Sequence, residues 1–292
     1  MKPMHTRTAM AMAGLIALGA CAGGKGGGFN IQNVDIGALA QNLKGLREVS
    51  EPEEIQIGDG VTETLLGARP LQKDDELQHY VNMVGLWVAR QSARPDLPWH
   101  FAVNDSDHIN AFAAPGGNVI ITVGMVRLMR NESELAGVIA HEVVHVVNKH
   151  HLAAMRKNAF IGLVGQGVSA ASQGSRNQEL VNALIGPTKE LYARGLDKAD
   201  EFEADRMGVV IAARAGYDPW GLPGALQTLA GIKADDNHLQ LLFKTHPAPS
   251  VRLEKLAVAM GASFDTVAGG GQSADRFARV AQRVKLADAR AR

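Results

Sequence analysis

The sequence predicts an α+β fold, mostly helical, with a small sheet beside one buried helix. Three observations point there. Leu135, Val138, Ile139, Val143, Val144 and Val147 recur at helical spacing and would bury most of a helix beginning after Asn131. Short extended runs, Trp99 to Val103 and the stretches near 110 and 120, supply a few strands, with Pro115-Gly116-Gly117 as a turn between the last two. Everything after that reads as helix. A chain of 292 residues carries one large domain or two small ones, and an apolar fraction of 46% supports a real core. Basic and acidic residues balance at 30 each, which gives no electrostatic case for nucleic acid or another polyanion.

The N-terminus has the pattern of a processing segment. Lys2 and Arg7 precede an apolar run, Ala9 to Ala20, too short to span a bilayer. It ends in Leu18-Gly19-Ala20-Cys21, which resembles the lipobox of bacterial lipoproteins. Residues 1–20 are therefore expected to be a signal peptide and Cys21, the sole cysteine, a lipid anchor site. Losing Lys2 and Arg7 from balanced charges leaves a formal balance of −2. Ala22 follows the cysteine where an aspartate would have suggested inner-membrane retention, so the expected address is the periplasmic face of the outer membrane. Gly23 to Gly28 reads as part of a flexible tether, residues 21–28. Residues 29–72 are expected to be a helical segment packing on the core, with Ile31, Ile36, Leu39, Leu43 and Leu46 at mixed helical spacing. Lys73 to Gln91 is a further helix, and residues 73–262 form the principal domain. Phe160 to Gly174, rich in glycine, alanine and serine, is a mobile loop or a helix over the cleft. In 263–292 a glycine linker, Gly269 to Gly271, precedes a loosely attached surface helix, Ala274 to Ala287. No 34-residue helical repeat is present.

Chemistry enters with His141-Glu142-Val143-Val144-His145. Histidines four apart share one helix face, about one turn apart, and can bind one zinc ion while leaving positions for another protein ligand and a water. Glu142 is placed to act as general base on that water. The pattern is the H-E-x-x-H of zinc peptidases. Asn131-Glu132-Ser133-Glu134 supplies a capping-box-like start.

Two residues compete as third ligand. His151 falls ten after His141, where H-E-x-x-H-x-x-G-x-x-H places its last histidine, but Asn148 replaces the glycine. The segment from His150 to Lys157 reads as continuing helix, which would carry His151 away from the metal. Glu201, in Asp200-Glu201-Phe202-Glu203-Ala204-Asp205, opens a second helix and is favoured. Asp205, four residues on, would accept a hydrogen bond from the distal nitrogen of His141. The row Ala204, Gly208, Ala212 permits close packing on the first helix.

These segments resemble the M48 family of zinc metallopeptidases. The matching residues are Asn110 to Gly117, Glu134 to Glu142, Asp200 to Gly208, Ala215 to Pro219 and Thr245 to Ser250. The resemblance implies a zincin-like fold, proteolysis by a Zn2+ ion on His141, His145 and Glu201, and Glu142 as general base. It is also similar to periplasmic members that process or clear outer-membrane proteins, which implies misfolded or unassembled envelope polypeptides as substrates. His246, in Thr245-His246-Pro247, is expected to stabilise the oxyanion or to plug the open coordination position. Asn110, Ala111, Phe112 and Ala113 would form a sheet edge that holds an extended substrate. Tyr192 and Arg194 could contact a substrate carbonyl. The rival reading is a latent or non-catalytic assembly factor that binds client strands in the same cleft, with His246 on the zinc.

Overall fold

A computed structural model describes residues 48–165, 181–182, 184–186, 188–233, 236–267 and 274–291. The expected signal peptide, Cys21, the tether 21–28, the helical spacing up to residue 47, residues 166–174 of the glycine-rich stretch and Gly269 to Gly271 lie outside the described residues.

The first helix, α1 (Glu51–Ala68), begins where Ser50 N–H donates to Glu53 Oε2 at 3.0 Å. Helix α2 (Asp75–Ala89) is capped by Asp74, which accepts from Leu77 N–H. Three strands follow. β1 (His100–Asn104) runs parallel to β3 (Asn118–Thr122), and β2 (Ala111–Ala114) pairs antiparallel with β3, giving the order β1-β3-β2. The β2–β3 turn needs glycine: Gly116 and Gly117 have φ of 77° and 117°, and a Cβ on Gly116 would lie 2.6 Å from Ile55 Cα.

After α3 (Val123–Leu128) comes the central helix α4 (Glu132–Val147), buried on almost every face. Asn131 caps it by accepting from Glu134 N–H, while the Glu134 carboxylate turns back to the Arg130 backbone and guanidinium. The expected capping box is therefore half formed. Leu135, Ile139 and Val143 are fully buried, each contributing roughly 1.5–3 kcal/mol. Helices α5 (His150–Gly165), α6 (Thr188–Arg194), α7 (Lys198–Arg214), α8 (Gly221–Ala230), α9 (Gln240–Thr245), α10 (Pro249–Met260) and α11 (Ala274–Ala291) complete the described chain. Helix α7 packs along α4 through the small-residue row: a Cβ on Gly208 would sit 3.0 Å from His141 N.

Two expectations are corrected. The chain does not continue as helix through His151. Helix α4 ends at Val147, and Lys149, in the left-handed region at φ 57°, breaks the helix, so that His150 to Lys157 is helical as expected but belongs to a new helix, α5. Its ammonium reaches the fully buried Glu54 at 2.9 Å, beside the guanidinium of Arg94. Helix α11 is not loosely attached either. Phe277, Val280, Ala281 and Val284 are buried in the main core, and Arg276 pairs with the buried Glu132, which also accepts from Tyr80 and Tyr217. The α11 spacing hid an apolar stripe among its basic residues. Among the described residues, no helix is long and apolar enough to cross a membrane.

Candidate metal centre

Four side chains converge beside α4. His141 and His145, one turn apart, bring their Nε2 atoms to 3.1 Å. Glu201, in the first turn of α7, lies 3.7 Å from His141 Nε2 and 3.6 Å from His145 Nε2. His246, just past α9, brings Nε2 to 3.7 Å from Glu201. One ligand atom from each of the four lies within 4.8 Å of the others. Bonds of about 2.0–2.1 Å to a tetrahedral ion place neighbouring ligand atoms about 3.4 Å apart, and the separations among His141, His145 and Glu201, 3.1 to 3.7 Å, are near that spacing.

The electrostatics fit a cation as well. Glu201 is 1% exposed and its Oε2 has no hydrogen-bond partner, an expensive state for a carboxylate without a counter-ion. Burial pushes its carboxyl up to about 8, with Arg252 opposing and Glu142 reinforcing. Burial holds His141, His145 and His246 below the usual histidine range, the neutral form a metal requires. Glu142 lies within the same buried space and is pushed up to about 8, mainly by desolvation.

Asp205 sits behind His141, its Oδ1 3.0 Å from Nδ1, leaving Nε2 toward the cluster. Sequence reasoning missed Arg252, from α10. Its Nε and Nη2 bind the two oxygens of Asp205 at 3.0 and 2.5 Å, and Nη2 also lies 3.2 Å from His141 Nδ1. Burial raises the Asp205 carboxyl, but Arg252 and His141 outweigh it and hold it well below the usual carboxylate range. A signal for Arg252 was present: with Leu256 and Met260 it occupies the apolar stripe of α10, where an arginine needs a buried partner.

The turn at Lys149 brings His151 back toward the site. Its ring stacks on Tyr192 with centroids 4.8 Å apart and lies 5.5 Å from the His145 ring. It lines the cavity with Glu142, His145 and Glu201, yet stays outside the four-atom cluster. That cavity has room for about 20 Å³, on the scale of a water molecule and not of a peptide. Arg194 is mostly exposed and pairs with Glu190, away from the cluster. β2 is an edge strand. Asn110 pairs with Thr122, so by alternation the backbone groups of Ala111 and Ala113 face the open edge. There Tyr192 donates its hydroxyl to Ala113 O at 2.5 Å, while Phe112 lines the cavity.

A family model for peptidase family M48 matches residues 75–259. The chain belongs to that family. M48 membership agrees with the zincin-like, mostly helical architecture and its three-stranded sheet. The chain is 34% identical over 208 residues to the beta-barrel assembly-enhancing protease of Escherichia coli O157:H7, across 69% of this chain and 42% of that protein. It is 32% identical over 163 residues to metalloprotease YcaL of Escherichia coli K12, covering 54% and 61% of the two chains. The mitochondrial metalloendopeptidase OMA1 of Arabidopsis thaliana is 29% identical over 164 residues, covering 56% and 32%. The chain thus spans less than half the length of the beta-barrel assembly-enhancing relative. For an M48 member, the two histidines and two carboxylates were legible from helix spacing, whereas Arg252 and the return of His151 depend on chain reversals.

Proposed function

We propose that this chain is a zinc-dependent endopeptidase of the bacterial cell envelope, lipid-anchored through Cys21. His141, His145 and Glu201 would hold the ion. The convergence of their ligand atoms, with an orphaned buried oxygen on Glu201, carries this reading. Zinc, when bound, acidifies water and polarises a carbonyl. Glu142, desolvated and therefore more basic than an exposed carboxylate, takes the proton of the attacking water and delivers it to the leaving amine. Asp205, clamped by Arg252, keeps the His141 proton on Nδ1. Ala111 and Ala113 would align an extended substrate on the β2 edge once Tyr192 releases Ala113 O. The names of the relatives, a beta-barrel assembly-enhancing protease among them, support misfolded or unassembled envelope proteins as substrates.

A specific observation favours a latent form of the same enzyme. His246 joins the four-residue cluster, its Nε2 3.7 Å from Glu201, and the cavities that Glu142 lines are each about 20 Å³ in this conformation. In this conformation His246 is a plug; displaced, it is placed to face the developing oxyanion. Digestion of casein or a quenched peptide by wild type and Glu142→Gln tests the reading. Hydrolysis by wild type, lost in a Glu142→Gln variant that keeps its zinc, is expected; equal turnover would remove Glu142 from its role.

A further inference from the structure

His145 has a second partner that the metal reading leaves unexplained. Its Nδ1 lies 2.9 Å from Nδ1 of His150, the rings meeting at 71° with centroids 5.1 Å apart. His150 is buried at the start of α5, and its Nε2 lies 3.5 Å from Glu203 Oε2 on α7. The left-handed Lys149 puts His150 there, because a continuing helix would carry it past His145.

The proton count gives this chain a direction. A His145 that offers Nε2 to a cation keeps its proton on Nδ1. That N–H donates to His150 Nδ1, so the His150 proton sits on Nε2 and faces Glu203. We propose that His150 and Glu203 are positioning residues that hold His145 as a metal ligand: Glu203 orients His150, and His150 orients His145. This rests on the metallopeptidase reading above. It makes the two histidine supports unlike each other, a clamped aspartate behind His141 and a second imidazole behind His145.

His150, Asp200 and Glu203 also bring ligand atoms within 4.8 Å of one another, which raises a second cation site as an alternative. The same proton count opposes it. A cation on His150 Nε2 would move that ring's proton to Nδ1, directly against the N–H of His145 at 2.9 Å. With both imidazoles neutral, the two cations exclude each other.

Zinc affinity of the full chain, measured by competition with a chromogenic chelator, tests the relay in wild type, His150→Ala, His150→Asn and Glu203→Ala. His150→Ala should bind zinc roughly 10–100-fold more weakly. His150→Asn should recover most of that loss, since its amide oxygen can accept from His145 Nδ1. Glu203→Ala should lose less, because Glu203 is about half exposed and screened. Wild type should take up one zinc per chain. Equal affinities for wild type and His150→Ala, or an Asn variant no better than Ala, would overturn the relay. So would a second zinc equivalent that disappears in Glu203→Ala, which would assign the cluster to a cation. Should His150→Ala not fold, the Asn and Glu203→Ala affinities carry the same test: Asn near wild type and Glu203→Ala weaker supports the relay, and any other order overturns it. A wild type that binds no zinc would instead defeat the metallopeptidase reading, and the relay with it.

Discussion

Arg252 clamps Asp205 with two hydrogen bonds, and the same carboxylate meets His141 at 3.0 Å. A buried arginine thus reaches the candidate metal through one aspartate and one imidazole. Arg252→Met should leave Asp205 as an uncompensated buried charge, at a cost of about 3–5 kcal/mol. It should also weaken zinc binding by roughly 10–100-fold. Urea unfolding and chelator competition measure the two effects.

Metal-free protein should lose stability as pH rises from about 7 to 8.5, above the range in which the buried His141, His145 and His246, held low, oppose the trend. Glu142 and Glu201 both have folded values raised to about 8, above their unfolded 4.5. Protonated, they are tolerated by the fold, so their contribution is complete below the unfolded value and is lost as pH climbs through the folded one. Asp205, held low, works oppositely and loses its contribution only as pH falls below its unfolded 3.8. Melting temperatures of chelated protein at pH 7.0 and 8.5 check this. Glu201→Gln should flatten the slope, and zinc should do so in wild type by keeping Glu201 ionised.

His246→Ala should raise peptide hydrolysis. If the plugged form leaves ~0.1–10% of molecules open, its removal increases turnover by roughly 10–1000-fold, less whatever His246 contributes to the oxyanion. Initial rates on a quenched peptide, at equal zinc content, measure the change. An unchanged or lower rate assigns His246 to catalysis and not to latency.

Gly208→Val should force α7 off α4, because even a Cβ there lies 3.0 Å from the His141 backbone nitrogen. About 1–3 kcal/mol of destabilisation is expected, together with weakened zinc binding as Glu201 moves away. Deleting residues 274–292 should cost several kcal/mol, since Phe277, Val280 and Val284 each bury an apolar side chain worth roughly 1.5–3 kcal/mol. Thermal unfolding of the truncated chain measures it.

What the sequence made legible was local. The spacing of Leu135 to Val147 sets α4, and i, i+4 geometry brings His141 to His145 and aligns Glu201 with Asp205. Ala204, Gly208 and Ala212 announced the close helix pair. What it hid depends on reversals with weak local signatures. Lys149 adopts a left-handed turn where glycine or asparagine would have advertised one, so His150 and His151 were read into the wrong direction. Arg252 finds Asp205 across 47 positions, and the α11 stripe finds the core only once α2 and α3 are packed.

Zinc content of purified protein tests the central claim most directly. After dialysis, wild type and His151→Ala should each retain one zinc per chain, and Glu201→Ala close to none. Zinc retained in Glu201→Ala and lost in His151→Ala would contradict the account.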